Sequence, residues 1–570
     1  MELILNNFYL FIGFISIVFI AIGLGGVLLT YLIKPVNELP ASFVFGASYF
    51  LGISFYIVFF KIMYLLFSDT GVSLYLMFAL ACLLIILNIK KLAPFIHVVI
   101  NSKFMAIYWL ILFFIVCIIL LGKWLPSDED IPFFLKSIGS LHSPRYAWIS
   151  NYIQYCESIP ILGQNTGQSI LTFITGYILT PKPYLFLFLW LVVSVFFFGL
   201  FVYGMLHKYT KDSTYLLWGV VVFLFGNTAL SLTHVLVIDS GSPFFFNGYS
   251  DTLIGIFSIF FTLTLFDIIQ QKKYSFTLWW VILLIMSVNY LSAPQNIVII
   301  FSIFILASIN KVIDKYGAYY LLSAFLLSTF LFVPHGGMLT PSTYHTNINY
   351  IGMMSVADSR REGKVAAEYG VNEKGLTVYP DPGYPFHYDG ISGWKSGQKP
   401  LLKKALEYKK NLTKDISSFV WTLEKIVINS IVVLFFPMAG LIYLRRKCKL
   451  ESSISEKYSL DYLYLFGILT FIIGLLISFP FSLNGYKWQL SRFMIPGIAI
   501  GMLGFSLFII NQMKRTAKNR VLAMTISIMV IFGPVFTQLT VANINIFDNP
   551  SMKMDLLLSS GPGKSEYTCD

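Results

Sequence analysis

The stretch "FYLFIGFISIVFIAIGLGGVLLTYLI", residues 8–33, contains no Asp, Glu, Lys or Arg from end to end. About 20 apolar residues in a helix cover the ~30 Å of a bilayer's hydrocarbon, so this run is long enough to cross one. It is too long and uninterrupted for a cleavable leader and reads as a first span. Similar runs recur along the chain. Of its 570 residues 57% are hydrophobic and only 12% charged, more apolar surface than a soluble core can hide. Strands of a membrane barrel would show alternating segments of ~10 residues, and that pattern is absent. The expected fold class is an all-α polytopic membrane protein.

Hydropathy places about fourteen spans. They lie near residues 8–33, 41–66, 72–89, 104–122, 183–206, 214–234, 252–270, 276–291, 295–310, 317–334, 420–444, 459–480, 493–511 and 521–541. Alternating the sides collects the basic loops into one set. Its members are Lys34, the Lys90, Lys91 and Lys103 group, Lys208 with Lys211, Lys272 with Lys273, and Lys311 with Lys315. Two further loops carry Arg445, Arg446, Lys447 and Lys449, then Lys514, Arg515, Lys518 and Arg520. The opposite short loops "SDTGVS", "HVLVIDSGSPFFFNGYSD" and "NYLSAPQ" hold no Lys or Arg. Positive charge collects on the cytoplasmic side, so both termini are expected outside. The net charge of +12 is thus an orientation signal, not a nucleic-acid footprint.

The chain then divides into a membrane domain (1–334) with an outer loop at 123–182, an outer insert (335–419), C-terminal spans (420–541) and an outer tail (542–570). Within the loop, "IPFFLKSIGSLHS" has apolar residues at 131, 134, 135, 138 and 141, a helical stripe suited to lying on the membrane surface. "GQSILTFITGYIL" (167–179) is too short for a span and fits a second interfacial or a re-entrant helix. Cys82, Cys117, Cys156, Cys448 and Cys569 show no metal or redox spacing.

Three groups on the outer side carry the chemistry of interest. Asp128, Glu129 and Asp130 follow the fourth span directly. Asp130 precedes Ile131-Pro132 and suits an N-cap, which accounts for one acid of the three. Mutual repulsion of three carboxylates is relieved by a proton or a divalent cation, which leaves Asp128 and Glu129 as candidates for a general base or metal ligands. No His completes a ligand set there. Asp239 and Asp251 flank a Gly, Pro and aromatic turn on the same side. Lys487 and Arg492, in "NGYKWQLSRFMIPG", run against the orientation rule. Snorkelling to headgroups suits Lys487, whereas Arg492 leads into a span, where a guanidinium can grip phosphate with two parallel hydrogen bonds.

This layout resembles the GT-C superfamily of membrane glycosyltransferases. "SRFMIPGIAIGML" is similar to the Arg-aromatic-x-x-Pro helix start found late in many bacterial members. "SDEDIPFFLKSIGSLHS…GQSILTFITG" is similar to the acidic-then-interfacial pattern of their first outer loop. The chain departs from common members in having three spans before the one that enters the acidic loop, and a mid-chain insert in place of a C-terminal domain. The resemblance implies inverting sugar transfer in a bacterial inner or plasma membrane, with the active site outside. The donor would be a polyprenyl-phosphate-linked sugar and the acceptor a glycan, lipid or protein. In that reading Asp128 is the base, Arg492 and Lys487 hold the leaving phosphate, and Trp124, Tyr146 and Trp148 suit stacking on sugar faces. Two other readings use the same layout. An O-antigen-type polymerase would depend on outer arginines such as Arg360 and Arg361. A transporter or flippase of lipid-linked glycans would show repeats and mid-membrane charges; the expected spans are almost free of charge and no repeat is visible, which weighs against transport.

Overall fold

The computed structural model describes residues 8–33, 39–67, 70–93, 166–179, 183–210, 215–224, 251–271, 273–292, 295–311, 313–332, 370–371, 377–378, 435–450, 460–473 and 489–541. In chain order the helices are α1 (Phe8–Leu32), α2 (Ala41–Phe67), α3 (Thr70–Leu87), α4 (Thr166–Ile178), α5 (Pro183–Thr210) and α6 (216–224). They continue with α7 (Asp251–Gln270), α8 (Phe276–Ser292), α9 (Gln295–Ile309) and α10 (Lys315–Phe332). The last are α11 (435–450), α12 (Leu460–Ile473), α13 (Gln489–Lys514) and α14 (Ala517–Val541). In the insert, Gly370–Val371 pairs antiparallel with Thr377–Val378.

These helices are not the fourteen expected spans. The run at 104–122 lies outside the described residues, as do the halves at 225–234 and 420–434, while α4 is the short segment of the outer loop. Five helical stretches, Tyr9–Leu32, Ala41–Phe60, Val192–Thr210, Leu253–Gln270 and Pro496–Lys514, are long and apolar enough to cross a membrane. The chain is an all-α, multi-spanning membrane protein.

Water is absent from hydrocarbon, so each backbone polar group must find its partner inside the segment, and apolar runs of this length become helices. Buried hydroxyls follow the same rule by donating to the carbonyl one turn back. Ser48 donates to Val44 (2.7 Å), Ser54 to Phe50 (2.6 Å), Thr262 to Ser258 (2.6 Å) and Ser527 to Ala523 (2.7 Å).

Lipid tails are as apolar as Leu, so helices associate through close approach and shape. Helices α1 and α2 cross at Gly25 and Gly52. A Cβ at Gly52 would overlap the Ala21 carbonyl, and one at Gly25 would overlap the Ser48 carbonyl. On its other flank α2 meets α5 through rings. Tyr49 stacks on Phe197 at 4.4 Å and shares a 2.8 Å hydrogen bond with Ser194, while Phe50 stacks on Phe257 of α7 at 4.7 Å. A second seam joins α11 to α13, where a Cβ at Gly440 would overlap the Gly501 carbonyl. Helix α13 also packs on α5, α7 and α14.

The helix ends sort onto two faces. Tyr31, ending α1, donates to Asn88 after α3 (2.7 Å) and accepts from Lys91 (2.6 Å). Phe43, starting α2, lies against Gly204 late in α5. Lys447, ending α11, donates to the carbonyl of Tyr209, at the end of α5. Arg445 sits 4.9 Å over Tyr464 near the start of α12, and Arg520, starting α14, 5.6 Å over Tyr215 at the start of α6. Phe266, late in α7, lies between Phe304 of α9 and Tyr462 of α12. Just past α7, Tyr274 donates to Asp314 (2.9 Å), the residue that caps α10 through the Gly317 amide (2.9 Å). Burial and then the Asp314 carboxylate push the Tyr274 hydroxyl's pKa up to about 12. Its neutral, donating form is therefore favoured on folding; that contribution is whole below the ordinary value of 10 and fades as pH rises towards 12.

These contacts gather the described Lys and Arg residues on one face, except Lys61 near the far end of α2 and Arg492 in the first turn of α13. Lys61 is a charge inside an expected span.

The Gly seam gives a paired prediction. Gly52→Ala forces α1 and α2 apart and should cost about 1–3 kcal/mol, read as a lower melting temperature in detergent. Gly199→Ala, whose Cβ would meet only Leu224 at 3.5 Å, should be neutral or gain up to roughly 1 kcal/mol from helix propensity. Equal effects at the two positions would remove close approach as the cause.

Candidate functional site

The face opposite the lysines is where α7 and α13 begin. Both have their C-terminal ends on the basic face, so they run in the same direction, and they pack against each other. Asp251 is the first residue of α7, and Arg492 lies in the first turn of α13. Of the sequence-derived candidates, these two are carried by neighbouring helices and emerge on one face. Asp128, Glu129, Asp130, Asp239 and Lys487 lie outside the described residues, as do Trp124, Tyr146, Trp148, Arg360 and Arg361.

Local sequence explains how α13 presents its start. Pro496 stands inside the helix and has no N–H, so the Arg492 carbonyl, four residues earlier, lacks its usual intrahelical donor. Beyond Pro496, Gly497, Gly501 and Gly504 put a side-chain-free stripe against α12 and α11. A Cβ at Gly497 would lie 2.9 Å from the Gly467 carbonyl, and Gly504 abuts the Gly440 carbonyl. The N-terminal end of α13 is thus a proline-loosened turn on a rigidly clamped stem. Asp251 has a simpler local account, because an acid at a helix start is stabilised by the helix dipole.

Below Asp251, α7 is tied to α8 by polar groups. Ser258 donates to Gly255 (2.7 Å) and approaches the Asn289 side-chain oxygen at 3.0 Å, and the Asn289 amide donates to Ile285 (2.7 Å). Asn289 is fully buried. In hydrocarbon such a joint fixes the register of two helices, since separating them would strand an amide.

Helix α4 belongs to the same half of the bundle. At 13 residues it rises only ~20 Å and cannot cross alone. It packs on α2, α5 and α8, with Ile170, Leu171 and Ile174 fully buried. Leu179 reaches Gly13 near the start of α1, and Trp190 of α5 donates its indole N–H to Thr175 at 2.9 Å. Phe14 meets that indole edge-on at 5.0 Å. The packing seats this segment on the bundle, so its apolar residues are covered by neighbouring helices.

The sequence reading missed the Gly497, Gly501 and Gly504 stripe, although its i, i+4, i+7 spacing is legible, and the role of Pro496 in freeing a carbonyl. Among the described residues no three His, Cys, Asp or Glu side chains are grouped to hold a metal ion. No family model, curated protein or solved structure matches the chain.

Docking of α4 is testable at its polar anchor. Thr175→Val removes the acceptor and leaves the buried Trp190 N–H unpaired, which should cost about 1–3 kcal/mol. Thr175→Ser keeps the oxygen and should cost less. Melting of the two variants in detergent checks the order, and equal losses would show that the methyl, not the hydroxyl, holds α4.

Proposed function

We propose that the chain is a GT-C-like membrane glycosyltransferase that moves a sugar from a polyprenyl-phosphate carrier to an acceptor on the outer side of a bacterial inner or plasma membrane. The single observation that carries this reading is the pairing of α7 and α13: one begins with Asp251, the other carries Arg492 in its first turn, and both open opposite the basic helix ends. The proposal includes about fourteen spans, with both termini outside and the basic face cytoplasmic.

Nucleotide sugars are cytoplasmic, so outward transfer takes its sugar from a lipid carrier. The acceptor hydroxyl attacks the anomeric carbon as its proton passes to the Asp128 carboxylate. The bond from that carbon to the phosphate oxygen breaks, and polyprenyl phosphate leaves with the electron pair. The guanidinium of Arg492 and the positive end of α13 stabilise the phosphate as its charge grows. Glu129 and Asp130 complete the acidic group, Asp130 also as a cap, and a divalent cation is a ligand of suitable charge there. Asp239, Asp251 and Lys487 line the outward site.

Two experiments test this reading. Membrane-impermeant thiol reagents should label cysteines placed near residues 130, 245, 380 and 560, but not near 92, 210 or 448. Labelling at 448 with none at 245 would invert the topology and remove the outward site.

The second experiment follows labelled sugar transferred from a polyprenyl-phosphate donor in membranes, with expression matched. Asp128→Asn should reduce transfer roughly 10²-fold or more. Asp130→Asn should be milder, because Asn caps about as well as Asp. Arg492→Lys keeps the charge but loses the planar fork, and should weaken donor use more than folding. Full activity in Asp128→Asn, with glycan formation abolished by Arg360→Ala and Arg361→Ala, would replace transfer by polymerase chemistry. A dead Glu129→Gln beside an active Asp128→Asn would move the base one residue.

A further inference from the structure

The densest charge in the described residues lies at the opposite end of the molecule, where α11, α13 and α14 meet. Arg445, Arg446 and Lys449 end α11, Arg515 follows α13, and Lys518 and Arg520 open α14; all six are exposed. Several are held in place. Arg520 donates from Nε to the Met513 carbonyl (3.2 Å) while covering the Tyr215 ring, and Arg445 covers the Tyr464 ring. Arg515 lies near Tyr443 of α11, whose hydroxyl hydrogen-bonds the Asn511 side chain. Asp461 is the one described acid near these ends, and the loop 451–459 adds Glu451, Glu456 and Lys457.

Orientation of the chain accounts for which side these charges occupy. It does not account for Lys518 and Arg520 in the first turn of a helix, where the dipole repels cations and the cap, Thr516, is a neutral hydroxyl that takes the Asn519 amide (3.2 Å). Two cations at a helix start form a site of the sign that attracts an anion.

The surroundings decide which anion. Directly on the membrane side of these cations, α14 exposes Val521 (65%), Leu522, Ile528 and Met529, and α11 exposes Met438 and Ile442 (53%). Both helices pack on α13. Cations therefore stand at the head of lipid-facing apolar flanks, where a phosphate arrives attached to acyl chains. A soluble phosphate would use the charges and waste the flanks.

We propose that the ends of α11, α13 and α14 form a binding site for the headgroup of an anionic phospholipid, with Arg515, Lys518 and Arg520 meeting the phosphate and the acyl chains lying along α11 and α14. The site is independent of the sugar-transfer reading and faces the other leaflet.

The test uses the full chain, purified in detergent and titrated with dioleoylphosphatidylglycerol or dioleoylphosphatidylcholine while melting is followed. The anionic lipid should raise the melting temperature by about 3 °C or more beyond the zwitterionic one. Arg515→Gln/Lys518→Gln, which spares the structural Arg520, should lose most of that difference. Lys311→Gln/Lys315→Gln, on the same face with the same loss of charge, should keep it. Equal shifts from both lipids in the wild-type chain would overturn the site and leave the charges as orientation signals alone. So would an undiminished preference in Arg515→Gln/Lys518→Gln, or equal losses in both double variants. If inorganic phosphate alone reproduced the shift, the ligand would be a soluble anion and the lipid assignment would fall. Should the double variant fail to purify as a single species, Arg515→Gln alone is measured, and an unchanged preference there overturns the proposal in the same way.

Discussion

Lipid removes two resources on which soluble folds depend: water to solvate stray backbone groups, and a hydrophobic difference to drive helices together. The first loss makes every long apolar run a helix. The second leaves close backbone approach, ring packing and buried polar bonds to hold the helices in place. The protein uses all three around two hubs. Helix α2 meets α1 at the Gly25 and Gly52 crossing and α5 through Tyr49, Phe197 and Ser194. Helix α13 meets α11 and α12 along its glycine stripe. Helices α5 and α7 touch both hubs and join them.

That construction stiffens the end of the bundle opposite the basic face. Asn289 and Ser258 lock α7 to α8, and Thr175 takes the indole N–H that seats α4 against α5. Each joint puts a polar pair where the alternative is an unpartnered group in hydrocarbon, so each tolerates only one register. The stem beneath Asp251 is held by such a joint, and the stem beneath Arg492 by the glycine stripe. A helix so held has a clamped stem beneath its first turn. In α13 the boundary between those parts is Pro496, with a regular clamped helix after it and a freed carbonyl before it.

How much of this was legible in the sequence depends on the range of the interaction. Helix positions were, because hydrophobic run length is local: the run 295–310 appears as Gln295–Ile309, and 8–33 as Phe8–Leu32. The grouping of basic helix ends on one face also followed from charge alone. Partners were not legible. Nothing near Gly52 in sequence names Ala21, and nothing near Trp190 names Thr175, since those contacts are made by helix crossings that periodicity does not specify. Helix α4 was ambiguous for a related reason: a 13-residue helix fits a surface or a re-entrant position equally, and the neighbours that bury Ile170, Leu171 and Ile174 include helices far away in sequence. For the site, the placement of Asp251 and Arg492 on one face follows from counting spans. That their helices are neighbours does not, because α7 and α13 are more than 200 residues apart in the chain.

The helix dipole adds a criterion that loop charge counting lacks. A cation in the last turn of a helix is favoured by about 0.3–1 kcal/mol and one in the first turn disfavoured by a similar amount. Lys208, Arg445, Arg446, Lys447, Lys449 and Lys514 stand at helix C-terminal ends, where side and dipole agree, so their positions need no ligand. Lys315 opens α10, but directly after the Asp314 carboxylate that caps it. Lys518 and Arg520 open α14 without such an acid before them, and Arg492 lies in the first turn of α13, away from the basic helix ends. At those three positions, among the described residues, a cation stands against the field of its helix, and an anion at the helix start reverses the sign of that cost. The same physics marks the starts of α13 and α14 as places where an anion would relieve that cost, and at α14 the exposed apolar flanks of α11 and α14 stand beside it.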